Sequence, residues 1–132
     1  MMADMMKSMP MAETMGMRMP MMQECMEACS AASMAATMCA DADGGEGMGR
    51  CASMCMNTAD VAMAMMRMMM RPAGYDMGVM TSMMTACMAM GDACAAECMK
   101  HADMSEHCRI CAMACKAMVD ACSSAMSSMR TA

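Results

Sequence analysis

Twelve cysteines stand at helical intervals, and their thiols are the most chemically capable groups in the chain. Cys25/Cys29, Cys51/Cys55, Cys94/Cys98 and Cys111/Cys115 are spaced i,i+4, and Cys108/Cys111 i,i+3. Cys87/Cys94, Cys108/Cys115 and Cys115/Cys122 lie seven residues apart, and Cys25/Cys39 fourteen. Residues at these intervals share one face of an α-helix. Each helix would therefore carry a thiol stripe, and in a bundle the stripes would meet on the axis. At about 1.5 Å of rise per residue an up-down arrangement stacks them in layers. Cys39, Cys51, Cys98 and Cys108 fall near one end, followed by Cys55, Cys94 and Cys111, then Cys29 and Cys115. Cys25, Cys87 and Cys122 lie deepest, roughly 20–25 Å from that end. Beyond them Met65, Met66, Met69, Met80, Met84 and Met126 take over, so the bundle is expected to be thiol-lined at one end and thioether-packed at the other.

Soft thiolates select Cu(I), Zn(II) and iron–sulfur clusters. A Cu(I) ion that displaces one thiol proton leaves the core charge unchanged. A zinc ion held by four thiolates leaves about −2, costly to bury repeatedly. Iron–sulfur clusters favour closely spaced loop cysteines, and no such run is present. Cu(I) fits best, with about one ion per cysteine as the upper bound if thiolates bridge. His101 and His107 flank a break between two helices at the thiol-rich end. Cys98-x2-His101 and His107-Cys108-x2-Cys111 point to ligation at the bundle mouth, and a single zinc site from His101, His107, Cys108 and Cys111 is an alternative. A general metal buffer, a disulfide-stapled helical scaffold or chaperone, an inert cysteine core and a Cys–His nucleophile remain as rival uses. A relaxed disulfide does not form within one i,i+4 pair of a regular helix, although bridges between helices do. Met34, Met54, Met90, Met113 and Met118 lie beside the stripes as occasional thioether donors. The other methionines read as core filler.

The elements that must position these groups are helices. Among 132 residues there are 35 Met, one aromatic residue (Tyr75), one Ile, three Val and no Leu, so Met stands where Leu would be expected. Pro10 and Pro20 bracket an N-terminal arm, residues 1–19, with room for a helical turn. Asp41–Gly49 reads as a loop, Pro72–Asp76 as a turn, and Ala102–Ser105 as a weaker break with Ser105 as N-cap. Between the breaks run good helix formers. The pattern predicts an all-α, up-down-up-down four-helix bundle over 20–132, with helices at about 20–40, 48–71, 76–101 and 105–130.

Several functions are excluded by the same residues. A net charge of −5 and a pI near 4.8 provide no basic footprint for nucleic acid, and one aromatic residue makes no base-stacking platform. Arg67, Arg71, Asp92 and Lys100 interrupt the apolar stretches, so no membrane span is expected. The first twenty residues lack the charged, apolar and cleavage regions of an export signal, which predicts a cytoplasmic, reducing setting with free thiols. Nothing resembles an oxyanion loop, and a binding protein rather than an enzyme is expected.

The stretch Glu97-Cys98-Met99-Lys100-His101 through Glu106-His107-Cys108-Arg109-Ile110-Cys111-Ala112-Met113-Ala114-Cys115 resembles the E-C-x-x-H…E-H-C-x-x-C-A-x-A-C segment of the cysteine-rich four-helix-bundle copper storage proteins of bacteria. Thr58-Ala59-Asp60-Val61, Ala73-Gly74-Tyr75-Asp76, Cys25-x3-Cys29 and Met2-Ala3-Asp4-Met5 are also similar. The resemblance implies Cu(I) held along the bundle axis by cysteine thiolates, entry at a histidine-bearing mouth, cytosolic residence and a homotetramer. A copper-donor or acceptor protein is the implied partner. Ala32, Ala36, Thr58, Ala62, Gly91 and Met118 occupy positions where relatives commonly place further cysteines, which predicts a lower capacity. The Leu-free composition is foreign to that family and points to an engineered Leu→Met recoding.

Overall fold

The computed structural model describes residues 1–8 and 19–129, with the side chains of Met2 and Met6 omitted. A short helix α1 (Met2–Lys7) precedes four long ones: α2 (Met19–Glu46), α3 (Gly49–Met69), α4 (Met77–Met99) and α5 (Glu106–Met129). Each long helix packs on its chain neighbour and α2 closes the ring against α5, while the diagonal pairs meet only through side chains on the axis, as Cys55 of α3 does with Cys111 of α5. This is the up-down-up-down four-helix bundle expected from the spacing.

Local chemistry sets most of the ends. Asp76 is extended (φ −130°, ψ 127°) and its carboxylate accepts from the Val79 amide at 3.1 Å, capping α4. Arg71 precedes Pro72 and leaves the helical region (φ −122°, ψ 67°), which stops α3 before a 3₁₀ turn at Pro72–Gly74. Ser105 precedes α5 as expected. Its carbonyl accepts from Arg109, but its hydroxyl donates to Glu46 across the bundle mouth at 3.5 Å.

The largest departure from the sequence reading is α2, which continues through most of the Asp41–Gly49 stretch read as a loop. Asp43 is four residues beyond Cys39, on the same inward face, and is fully buried. Those tertiary contacts outweigh the weak propensity of Gly44 and Gly45. The helix stops only at Gly47, whose φ of +75° is the left-handed conformation of a C-terminal cap. There the Met48 amide returns to the Asp43 carbonyl at 3.1 Å. The other three long helices begin or end one or two residues inside the expected limits. In the arm, the helical segment lies ahead of Pro10, which is outside the described residues, and Pro20 sits in the first turn of α2, where proline is tolerated.

Two bodies make up the core. One is dominated by thioethers and includes Met22, Met26, Met65, Met69, Met80, Met84, Met118 and Met129, closed by Tyr75, whose hydroxyl donates to the Met69 carbonyl at 2.5 Å. The other is built on eight cysteines with Ala36, Ala40, Ala59, Ala95 and Ala112. Met65, Met69, Met80 and Met84 are buried as expected, whereas Met66 and Met126 are only partly covered. Helix α4 has the length and mean hydropathy (1.2) of a membrane-crossing helix. It carries Asp92 and Glu97, and its cysteine face is covered by α3 and α5.

Candidate metal centre

All twelve cysteines are free and between 0 and 1 % exposed. They form a mouth layer, a middle layer and an inner group. At the mouth, the sulfurs of Cys39 and Cys108 are 3.8 Å apart, as are those of Cys51 and Cys98. The imidazole Nδ1 of His107 is 3.2 Å from Cys39 Sγ and 3.6 Å from Cys108 Sγ. The buried Asp43 carboxylate accepts from Cys108 at 3.5 Å and from Cys39 at 3.8 Å. His107 Nε2 reaches Glu46 at 2.7 Å on the rim. In the middle, Cys55 is 3.8 Å from both Cys98 and Cys94 and 3.9 Å from Cys111. Cys115 joins this layer through Cys94 and Cys111. In the inner group Cys25 and Cys122 are 3.7 Å apart, Cys29 lies beside both, and Cys87 bonds to Cys122 and Cys29.

Among the described residues five sets converge with their donor atoms all within 4.8 Å: Cys39/Cys51/Cys55/Cys98, Cys55/Cys94/Cys98/Cys111, Cys39/Asp43/Cys51/Cys108, Cys25/Cys29/Cys122 and, at the rim, Asp43/Glu46/His107. Two sulfurs sharing one ion at bonds of about 2.3 Å are at most about 4.6 Å apart, so these thiols accept bridging ions without backbone movement. The observed separations are far beyond a sulfur–sulfur bond of about 2.05 Å. A stapled scaffold is therefore not what these helices hold.

Burial and mutual hydrogen bonding split the thiols by acidity. Hydrogen bonds with Cys111, then Cys115, Cys55 and Cys98, pull the Cys94 thiol down. Those with Cys25, Cys29 and Cys87 do the same for Cys122. Their partners rise in consequence: Cys111 chiefly through Cys115, Cys29 chiefly through Cys122, and Cys87 to about 12 through its bond to Cys122. At the mouth, burial pushes Cys39, Cys51 and Cys108 up, and the nearby Asp43 carboxylate adds to each. The middle layer and the inner group thus each set one lowered thiol, Cys94 or Cys122, beside raised neighbours.

The two histidines part company. His107 faces the thiols, whereas His101 directs Nε2 to Glu97 at 3.2 Å and enters none of the converging sets among the described residues. The zinc site imagined from His101, His107, Cys108 and Cys111 is consequently not assembled, because Cys111 belongs to the middle layer and His101 to the Glu97 cluster. Glu97, also gripped by Arg50 and Lys100 at 3.2 Å each, was not singled out in the sequence, and neither were Asp43 and Glu46. Asp43 had a readable signal, since Cys39-x3-Asp43 repeats the i,i+4 interval of the cysteine pairs. Of the methionines considered as donors, Met34 and Met113 are exposed (60 and 59 %), and Met113 Sδ instead accepts from Arg109 at 3.2 Å. Met54 and Met90 are half-buried against the mouth-side core. Met118 alone is fully buried, with Sδ 4.0 Å from Cys87 Sγ.

A four-helix bundle whose axis is filled by free, mutually contacting thiols and whose mouth carries imidazole and carboxylate is a soft-metal binding protein. The sequence profile described as copper storage protein matches residues 11–127, and the chain belongs to that family. It is similar to the copper storage protein Ccsp of Streptomyces lividans loaded with 10 copper equivalents, with a TM-score of 0.89 and 34 % identity over 96 % of this chain and 98 % of that one. The same protein carrying five coppers, described as cytosolic, aligns with a TM-score of 0.78 and 36 % identity over 82 % and 93 % of the two chains. A histidine-to-alanine variant of it gives 0.81 and 35 % over 86 % and 98 %. No curated protein matches the chain.

Proposed function

We propose that this protein stores multiple Cu(I) ions in its core. The ligands are the twelve cysteine thiolates, with His107 as the imidazole donor at the mouth. The observation that carries this reading is the set of buried, free thiols contributed by all four long helices, whose neighbouring sulfurs stand 3.7–3.9 Å apart. Cu(I) suits it because each ion replaces one proton, so successive ions enter without building charge in a low-dielectric core. His101 acts beside the mouth through Glu97 and not as a ligand. The role is storage, not catalysis. The four long helices serve as one domain. The cytosolic description of the Streptomyces relative supports a cytoplasmic setting, a homotetramer follows the resemblance, and a copper-donor or acceptor protein would exchange ions at the mouth.

An anaerobic titration of the fully reduced protein with Cu(I) tests the reading. Thiolate-to-copper absorption is expected to rise linearly to about 8–12 ions per chain, within the limit of about one per thiol. About one proton should be released per ion. Saturation at one or two ions would overturn it, as would displacement of bound copper by a zinc excess.

A further inference from the structure

The thiols form two bodies and not one continuous column. Cys39, Cys51, Cys55, Cys94, Cys98, Cys108, Cys111 and Cys115 share the mouth-side core, whereas Cys25, Cys29, Cys87 and Cys122 share the inner one. The hydrogen bonds among the thiols run within each body, and none crosses between them. On α4 and α5, seven residues separate Cys94 from Cys87 and Cys115 from Cys122, about 10 Å of rise. Helix α3 contributes no thiol beyond Cys55. In sequence, buried Ala32, Ala36, Thr58, Ala62, Gly91 and Met118 stand between or beyond these cysteines on their helices, and Met118 packs with the inner body.

Met118 is the one sulfur among those six. It is three residues after Cys115 and four before Cys122, on their helix face, and its Sδ is 4.0 Å from Cys87 Sγ. Gly91 makes the space for it: a Cβ there would stand 3.1 Å from Met118 Cε. A thioether is a soft, neutral donor that takes a copper ion without first losing a proton. Such a donor suits a passage that must hold an ion briefly and release it.

We propose that Met118 is a Cu(I) ligand that carries ions from the mouth-side thiols to the inner group. The proposal rests on the storage reading above. Copper stays Cu(I) throughout. The ion leaves a mouth-side thiolate, is held by Met118 Sδ, and is then bound by Cys87. The proton lost by the Cys87 thiol is balanced by the one regained at the vacated thiolate, so the core charge does not change.

Tyr75, the sole aromatic residue, lies in the inner core body with Cys25, Cys29, Cys87 and Cys122, and burial there pushes its hydroxyl up to about 12. Its fluorescence therefore reports inner filling, while thiolate-to-copper absorption reports the total. Rapid mixing of the reduced protein with Cu(I) should show a fast absorption phase, then a slower one that coincides with tyrosine quenching. Met118→Leu is a near volume-conserving change, and its folding is checked by circular dichroism and urea midpoint. It should leave the fast phase alone and slow the tyrosine phase by about tenfold or more. Met118→Cys should restore that phase and add one thiol to the capacity. A wild-type tyrosine phase in Met118→Leu would overturn the proposal. So would an equally slow phase in Met118→Cys, which would assign the effect to packing. Failure of the storage reading would look different, because the wild-type absorption itself would stop at one or two ions.

Discussion

Gly91 and Gly78 lie on the same helix, and alanine at the two positions should have opposite effects. At Gly91 a Cβ would stand 2.8 Å from Val119 Cγ2, 3.1 Å from Met118 Cε and 3.3 Å from the Cys115 carbonyl oxygen. The Met118 methyl is the free end of a flexible chain and can move. The Cys115 oxygen is backbone and cannot, and Val119 is β-branched and stiff at χ1. Accommodating the methyl requires α4 and α5 to separate slightly at Gly91. Overpacking of this kind costs about 1–3 kcal/mol, and the gain in helix propensity from Gly to Ala returns about 1. Gly91→Ala should therefore destabilise the metal-free protein by about 1 kcal/mol, roughly 3–5 °C in melting temperature for a domain of this size. Gly78 is exposed, and its Cβ would meet only Asp76 Oδ1 at an ordinary 3.5 Å. Gly78→Ala should gain a few tenths to about 1 kcal/mol. Urea denaturation of both variants, reduced and free of oxygen, measures the difference. A Gly91→Ala protein at least as stable as Gly78→Ala would show that α4 and α5 are not in the close contact described and would refute the reasoning.

Three further outcomes are expected. Burial pushes the Glu97 carboxyl up, but hydrogen bonds from His101, Lys100 and Arg50 outweigh it and hold the group below the ordinary carboxylate range. Its contribution is present above the unfolded value of about 4.3 and is lost as pH falls through the lower folded value. Glu97→Gln should accordingly be less stable than wild type at pH 7, with the gap in urea midpoint closing below about pH 4. Asp43 raises the mouth thiols by its charge. If only a third of the about 4 kcal/mol between unit charges at 4 Å survives, Asp43→Asn should move the pH midpoint of the fast copper phase about one unit toward acid. An unmoved midpoint would exclude Asp43 as the source of the raised mouth thiols. Asp76→Ala removes the cap of α4 and should cost about 1 kcal/mol in thermal denaturation, with copper capacity unchanged.

Much of this arrangement is written in the spacing of one residue type. Cysteines at intervals of three, four, seven and fourteen fix which faces turn inward, and the breaks at Pro72 and near Ser105 fix the turns, so the bundle and the order of the thiols along it follow from periodicity. Two things do not. The first is where α2 ends, because local propensity at Asp41–Gly49 favours a loop and only contacts made 65 residues away, between Asp43 and Cys108, hold the helix to Glu46. The second is the division of labour between the histidines. His101 follows Cys98 by three residues and His107 precedes Cys111 by four, both one helical turn from a thiol, but His107 faces the thiols and His101 a buried glutamate gripped by Arg50 on a different helix. Met113 was misread for a simpler reason: two residues beyond Cys111 is about 200° around a helix, so its side chain points outward.

The mouth and the far end answer different requirements of the same cargo. An incoming cation first meets Glu46 and His107 on the rim, and only then the buried Asp43 with Cys39 and Cys108, whose thiols burial pushes up. Burial thus favours the protonated form of Cys39 and Cys108 until copper approaches. At the far end the sulfurs are thioethers, close-packed and without protons to exchange, and Tyr75 bonds across to α3. An ion there would bring a charge that no proton loss could cancel. Filling should stop at Cys25 and Cys122 for that reason, and not because the bundle runs out of sulfur.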